Sequence, residues 1–175
     1  LAAFKQAAES ADVIISTGGV SVGEEDHVKA AIEQCGELDL WKIAIKPGKP
    51  LAFGRVGDVP FIGLPGNPQS VWVTFLILAR QFLINYQGQR HKLLPHAVPV
   101  RAGFAVKKAQ NRREYLRVRL EVTESGLTLT RHANQSSGDL SSAVWADGLA
   151  IIEKGQIIAE GELLPFLSFS SFGVA

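Results

Sequence analysis

The hydrophobic pattern of this chain of 175 residues changes character near Pro95. Before that point, short apolar runs alternate with stretches in which apolar residues recur every three or four positions, a pattern typical of strands alternating with helices. After it, helical periodicity nearly vanishes and short alternating strands follow one another. We therefore predict an α/β domain, joined by the polar connection 87–95 to a small all-β domain of the barrel or sandwich type.

Composition narrows the class of protein further. With 46% hydrophobic residues the chain can bury a substantial core, and its formal net charge of +1 lacks the basic excess expected of a nucleic-acid-binding protein. The longest apolar run, 71–79, falls well short of the roughly 20 residues that span a bilayer, so no membrane segment is expected. The single Cys35 excludes an intramolecular disulfide and favours a cytoplasmic location. Because the chain begins with Leu1 and contains no methionine, we expect a fragment of a longer protein.

Periodicity and turn residues predict the individual elements. In the first half we expect helices over 1–10, 27–34 and 68–86 and strands over 12–17, 41–46, 51–56 and 60–64. Asp26 and Asn67 are placed to cap the second and third helices. In the second half we expect a short helical segment over 140–146 and strands over 98–106, 114–122, 127–132, 149–154 and 157–166.

Three segments rich in glycine and proline point to a binding site in the first half, namely 16–27, 42–54 and 63–68. The first of them joins a predicted strand to a predicted helix, so its backbone amides are expected to face outward. Turns of this kind bind phosphate groups. In the third segment, Asn67 is explained equally well as a helix cap or as part of an anion site.

The second segment adds positive charge. Lys42 and Lys46 fall on one face of a predicted strand, with about 13 Å between their Cα atoms, a spacing that suits an elongated anion. Two solvated lysines on an edge strand are the alternative explanation. The bend 47–50 favours the binding site, because Gly48 permits close approach of a ligand and Lys49 supplies a third cation.

Acidic residues next to the first glycine turn suggest a metal ion. Asp26 is readily explained as a helix cap, but Glu24 and Glu25 lie beside it and would repel a phosphate group. A magnesium ion that bridges carboxylate and phosphate would reconcile these charges. In the second half, Arg117 is expected on an exposed strand face, and the serine-rich stretch 134–139 offers hydroxyl groups to an anion.

Taken together, the motifs resemble those of the molybdopterin molybdenumtransferases, the family of MoeA and the gephyrin E domain. The chain carries, in order, TGGVSVGEED, KIAIKPGKPLAFG and GLPGNPQS, followed by RREYLR and QSSG in the β half. The resemblance implies that residues 1–90 are the later part of a MogA-like, three-layer molybdopterin-binding domain. It implies that residues 91–175 are a C-terminal β-barrel-like domain.

The same resemblance implies a reaction and a set of site residues. Adenylylated molybdopterin is hydrolysed in the presence of Mg²⁺, molybdate is inserted into the dithiolene, and AMP leaves. By motif position, Asp26, Lys42 and Lys46 are catalytic, and Asp26 holds the metal. The implied ligand-binding residues are Gly18, Gly19, Ser21, Gly23, Gly48, Lys49, Gly66, Asn67, Arg117 and Ser137. Family members often carry Gln-Gly-Ser where this chain has Gln-Ser-Ser at 135–137.

Three functions stay open on the sequence. The first is the molybdenum-inserting enzyme, a homodimer as the full-length protein and inactive as this fragment. The second is a nucleotide-processing enzyme of the MogA or CinA kind, which lacks the lysine-bearing segment 42–54 and the β half. The third is a gephyrin-like scaffold that holds a partner peptide with its β half.

Overall fold

The computed structural model of the protein describes residues 1–20, 27–90, 94–124 and 126–173. In the first half, a helix and a strand come before the glycine turn, and a helix and four strands follow it. These elements are α1 (Ala2–Ala8), β1 (Ile14–Thr17), α2 (His27–Cys35), β2 (Gly36–Lys42), β3 (Ile45–Lys46), β4 (Pro50–Val56) and β5 (Val59–Leu64). A continuous helical segment then consists of α3 (Pro68–Thr74), a π-helical turn (Phe75–Ala79) and α4 (Arg80–Tyr86).

Four of these strands form a mixed sheet in the order β1-β5-β4-β2. β1 pairs with β5 in parallel, whereas β4 pairs with both of its neighbours in antiparallel fashion. Phe61 and Ile32 are fully buried where α2 packs on the sheet, because the apolar stripe of that helix faces the central strands. Because β1 and β5 run parallel to each other, they end at the same edge of the sheet.

The second half forms a closed barrel. Its elements are β6 (Val98–Ala102), β7 (Arg113–Thr123), β8 (Gly126–Arg131), α5 (Ser141–Trp145), β9 (Gly148–Ile152), β10 (Leu163–Ser168) and a short 3₁₀ turn (Ser170–Phe172). The strand order is β7-β8-β6-β10-β9, and β9 pairs back onto β7. Alternate apolar side chains such as Val118, Leu129 and Leu164 fill the interior. The predicted fold class, an α/β domain followed by a small β-barrel, is confirmed; the predicted boundary at 90/91 stays a prediction.

The helical segment 68–86 is shared between the two halves. On one side Ala79 packs against Leu51 and Leu64 of the sheet. On the other side Val73 and Leu76 belong to a cluster with residues of the barrel, including Tyr115, Leu149 and Leu167. The helix predicted over this range is confirmed, and its almost all-round hydrophobicity has a cause: both faces are covered. None of the helices in the described ranges is long and apolar enough to cross a membrane.

The strand predicted over 41–46 is wrong, because the chain changes sheets within it. β2 pairs with β4 as far as the partners Lys42 and Pro50. β3 instead runs parallel to β7 of the barrel, with Ile45 opposite Arg113 and Lys46 opposite Glu114. The segment 43–49 is thus an excursion from the sheet to the barrel. Its base is closed by the Ile43 N–H, which donates to the Lys49 carbonyl oxygen at 3.1 Å.

Substitution of Gly148 tests how closely β9 and β10 pack against each other in the barrel. A methyl group at this position would overlap the backbone carbonyl oxygen of Leu167 and the ring of Phe166. Gly148→Ala should therefore lower the free energy of unfolding by about 2–3 kcal/mol, because backbone cannot move aside as a flexible side chain can. Urea unfolding followed by tryptophan fluorescence measures the change.

Gly138→Ala is the matched control, since the nearest atom to the added methyl group, Ser136 Oγ, lies 4.0 Å away. We expect this variant to stay within about 0.5 kcal/mol of the parent. Equal effects of the two substitutions would contradict the packing described for Gly148.

Candidate functional site

A cavity of about 690 Å³ lies between the sheet and the barrel, and is called the main cavity below. Glycine and proline backbone forms much of its wall. From the first half it is lined by residues of 18–19, 46–50 and 65–70, and from the barrel by Arg112 and residues 135–137. All three glycine-rich segments of the sequence thus contribute to one cavity.

The floor of the main cavity is the edge where the parallel strands end. β1 is followed by Gly18 and Gly19, both with positive φ (79° and 67°), and β5 is followed by Pro65 and Gly66. The Gly18 N–H donates to the Leu64 carbonyl oxygen at 3.0 Å. A Cβ at Gly18 would lie 3.7 Å from Gly66 Cα, so the two turns are closely packed. In open α/β sheets, ligands bind at this end of parallel strands.

The bend 47–50 forms a second wall. Gly48 is buried with φ 108°, and a Cβ there would lie 2.5 Å from Thr74 Cγ2 on the helical segment. Both the backbone angle and the lack of space require glycine at this position. The bend therefore lies directly against α3, with Lys46 before it and Lys49 within it.

A loop of the barrel, 135–137, forms the third wall and contacts the start of α3. The Asn67 Nδ2 donates to Ser137 Oγ at 3.0 Å, and the Gln69 N–H donates to the Ser137 carbonyl oxygen at 3.0 Å. Asn67 occupies the predicted N-cap position, but its side chain makes no capping hydrogen bond. The barrel loop satisfies a free amide of the helix instead.

Arg117 does not line the main cavity, and the expected exposure of its strand face is wrong. The side chain is 1% exposed, because the helical segment and α5 cover the outer face of β7 while the barrel core covers the inner face. The guanidinium donates to Ser142 Oγ (3.2 Å) and to the carbonyl oxygens of Tyr115 (3.3 Å) and Ser136 (3.4 Å). Burial lowers its pKa to about 10, so it is still a cation at neutral pH.

Arg117 instead supports the loop that forms the third wall. Its backbone N–H donates to Gln135 Oε1 at 3.1 Å, and the Gln135 Nε2 donates back to the Arg117 carbonyl oxygen at 2.9 Å. With the bond from the guanidinium to Ser136, these contacts fix 135–136 to the barrel. Arg117 is therefore a positioning residue for the wall that contains Ser137.

Three cations line the main cavity: Lys46, Lys49 and Arg112. Among the described lining residues there is no carboxylate. The Arg112 Nη1 donates to the Ile45 carbonyl oxygen at 3.0 Å, which orients the guanidinium along the excursion. Arg112 and Ser70 were not singled out from the sequence. The signal for Arg112 was present, since it opens the RREYLR motif, but the pairing of β3 with β7 was needed to bring it near Lys46.

Lys46 makes an ion pair with a buried carboxylate. Its Nζ lies 2.7 Å from Glu114 Oε1, and the Glu114 side chain is only 6% exposed. An unpaired buried carboxylate would cost several kcal/mol, so this contact restrains the ammonium. Lys46 consequently lies at a fixed place in the wall rather than moving freely in solvent.

Other predicted site residues lie elsewhere. Lys42 is exposed at the end of β2 and is not among the lining residues, because the chain turns away from the sheet after it. Ser21, Gly23 and Asp26 lie outside the described residues.

The described ranges contain no group of three or more His, Cys, Asp or Glu residues that could hold a metal ion. The prediction of magnesium therefore rests on Asp26 and its acidic neighbours.

Comparisons with known proteins agree with this architecture. Residues 1–85 match the model of a probable molybdopterin binding domain, and residues 99–169 match that of the MoeA C-terminal region, domain IV. A solved structure of the molybdopterin biosynthesis MoeA protein from Pyrococcus horikosii superimposes with a TM-score of 0.76 at 31% identity, covering 96% of this chain and 40% of that one.

Two curated relatives point the same way. The molybdopterin molybdenumtransferase of Haemophilus influenzae is 38% identical over 171 residues, which is 96% of this chain and 42% of the relative. The molybdenum cofactor synthesis protein cinnamon of Drosophila melanogaster is 34% identical over 145 residues, covering 81% of this chain and 24% of that protein. The chain thus spans less than half the length of these relatives.

The Asn67–Ser137 hydrogen bond yields a test by double-mutant cycle. Asn67→Ala and Ser137→Ala should each lower the free energy of unfolding by about 1 kcal/mol, and the double variant should lose little more than either single one. The reason is that both substitutions remove the same bond between the halves. Urea denaturation of the four proteins gives the coupling energy. Additive losses would show that Asn67 acts as a helix cap instead.

Proposed function

The chain belongs to the MoeA family of molybdopterin molybdenumtransferases, and on this premise we propose that the full-length protein inserts molybdate into adenylylated molybdopterin with release of AMP. The observation that carries the proposal is the lining of the main cavity. Glycine-rich backbone from three motifs forms much of it, and Lys46, Lys49 and Arg112 supply positive charge. No carboxylate is found among the described lining residues. Such a surface suits a ligand with several negative charges.

The chemistry of the substrate matches this surface. Adenylylated molybdopterin carries a phosphoanhydride, and molybdate is itself an oxyanion. When water attacks the adenylyl phosphorus and the bond to the molybdopterin phosphate breaks, negative charge grows on the departing phosphate. Cations held in place beside that group stabilise the charge without having to reorganise. We assign this role to Lys46 and Arg112, which the ion pair with Glu114 and the bond to the Ile45 carbonyl oxygen restrain.

The remaining residues of the site bind and orient. Gly18, Gly19 and Gly66 allow an anion to approach the backbone at the strand ends. Asn67 and Ser137 are joined to each other across the cavity and keep the two halves at a fixed separation. We propose that the ligand contacts both halves at once, and that Lys49, an exposed cation at the rim, attracts it.

Three further proposals rest on the family resemblance. Magnesium would be held by Asp26, which lies outside the described residues, and the roles assigned to Lys46 and Arg112 do not depend on the metal. The full-length protein would be a homodimer, and it would reside in the cytoplasm.

Molybdate-dependent release of AMP from adenylylated molybdopterin by the full-length protein tests the proposed function. Release that does not require molybdate would favour a nucleotide-processing enzyme instead.

Lys46 and Lys42 form a matched pair for testing the site. In the full-length protein, Lys46→Gln should weaken binding of adenylylated molybdopterin about tenfold at low salt, with a smaller effect at high salt because ions screen the attraction. Lys42→Gln should change the affinity less than about twofold, since Lys42 is exposed and is not among the residues that line the cavity. Ligand titration at two ionic strengths measures both.

Because Lys46→Gln leaves Glu114 buried without its partner, the double variant Lys46→Gln/Glu114→Gln serves as the companion. It removes both charges, so a loss of affinity that persists in it belongs to the lost cation and not to local unfolding. Parent-like binding by Lys46→Gln would remove Lys46 from the proposed site.

Asp26→Asn separates the metal-binding role from simple helix capping. The amide keeps most of the capping ability but lacks the charge that attracts magnesium. We expect the full-length variant to keep its thermal midpoint while losing most of its magnesium-dependent AMP release. A large fall in the midpoint, with activity per folded molecule preserved, would identify Asp26 as a cap only.

A further inference from the structure

A second concavity of about 390 Å³ adjoins the main cavity, and is called the side cavity below. Lys46 and Gln135 line both. Beyond them, the side cavity is bounded by the loop after β6 and by the end of β8. Four of its lining residues are cations and one is an acid: Lys46, Lys107, Lys108, Arg131 and Glu114.

The loop that carries two of these cations is anchored on both sides. Before them, the Val106 N–H donates to the Ile158 carbonyl oxygen at 2.9 Å, and the Ile158 N–H donates back at 3.0 Å. After them, the Gln110 carbonyl oxygen accepts from the Gly155 N–H at 2.8 Å. Lys107 and Lys108 therefore project from backbone that is held by the connection between β9 and β10.

The other cations of the side cavity are also restrained. Arg131 Cζ lies 5.6 Å from the centroid of the Phe104 ring, close enough for a cation–π contact. Lys46 is held by Glu114. Positive charge is thus gathered around one concavity before any ligand arrives, which lowers the cost of binding an anion there.

The charge of the side cavity is not neutralised by the protein. Glu114 compensates Lys46, but within the part of the chain that the structure describes, no carboxylate oxygen lies within ion-pairing distance of Lys107, Lys108 or Arg131. Elsewhere on the surface, Arg55 pairs with Glu37 and Arg113 pairs with Glu153. Among the described residues, Lys107, Lys108 and Arg131 of the side cavity make no such pair.

We propose that the side cavity is a second anion site, which binds a phosphate group or a tetrahedral oxyanion of similar size and charge. Its cations come from three separate elements that meet at one concavity, an arrangement that suits a compact anion better than an extended chain. The source of the group is either a free oxyanion or a phosphate of a ligand that extends from the main cavity past Lys46. The proposal does not depend on the function proposed above.

Equilibrium dialysis of the full-length protein against radiolabelled inorganic phosphate tests the site. Lys107→Gln and Arg131→Gln should each weaken phosphate binding about fivefold, since each removes one unpaired cation. The control Lys154→Gln, which removes an exposed lysine of the barrel outside the side-cavity lining, should leave binding unchanged. The proposal is overturned if the parent binds no phosphate, or if the two side-cavity variants bind it like the control.

A second arm identifies the source of the anion. If the side cavity holds a free oxyanion, phosphate should remain bound at saturating AMP; if it holds a phosphate of the ligand of the main cavity, AMP should displace phosphate competitively. Molybdate-dependent AMP release, measured on the same proteins, keeps the two proposals apart. Its absence in the parent would contradict the proposed function and leave the phosphate measurement valid.

Discussion

The short parallel pairing of β3 with β7 is the interaction on which the arrangement of the site depends. Two residues, Ile45 and Lys46, leave the sheet of the first half and join the barrel of the second. The Arg113 N–H, which donates to the Ala44 carbonyl oxygen at 3.1 Å, and the Arg112 guanidinium reinforce this junction. Because the chain returns to the sheet within a few residues, the bend 47–50 is tied at both ends. One wall of the main cavity thus belongs to both halves, and the distance between them cannot change without breaking backbone hydrogen bonds.

The helical segment 68–86 and the loop 135–137 complete the junction in different ways. The helix contributes apolar area, since its two sides pack against the sheet and against the barrel. The loop contributes hydrogen bonds at the first turn of the helix, through the carbonyl oxygen and the hydroxyl group of Ser137. Burial supplies most of the stability of such a contact, whereas the hydrogen bonds fix its register. Both are placed next to the cavity, so the surfaces that hold the halves together also shape the site.

The sequence allowed the fold class and most of the elements to be predicted, because periodicity and turn residues are local properties; the start of β2 and the position of β10 were not predicted. It also identified the glycine-rich segments, which do meet at one cavity. It could not reveal the split between β2 and β3: residues 41–46 alternate as a single strand would, and only the barrel edge explains the change of partner. The burial of Arg117 could not be predicted for a related reason. An alternating strand pattern does not reveal whether the polar face of the strand meets solvent or a second packed layer. Asn67 occupies the cap position that the sequence predicts, but a loop 70 residues away along the chain engages its side chain.

The residues around the main cavity come from segments spread over most of the chain, from Gly18 to Ser137. Contacts between positions so distant in sequence carry a large loop-closure entropy and form slowly. While only its first half has been synthesised, a newly made chain therefore lacks the wall of the main cavity that the barrel supplies, even though that half carries all three glycine-rich motifs. The main cavity is a property of the finished tertiary structure, and by linkage a ligand that touched both halves would stabilise them as one cooperative unit.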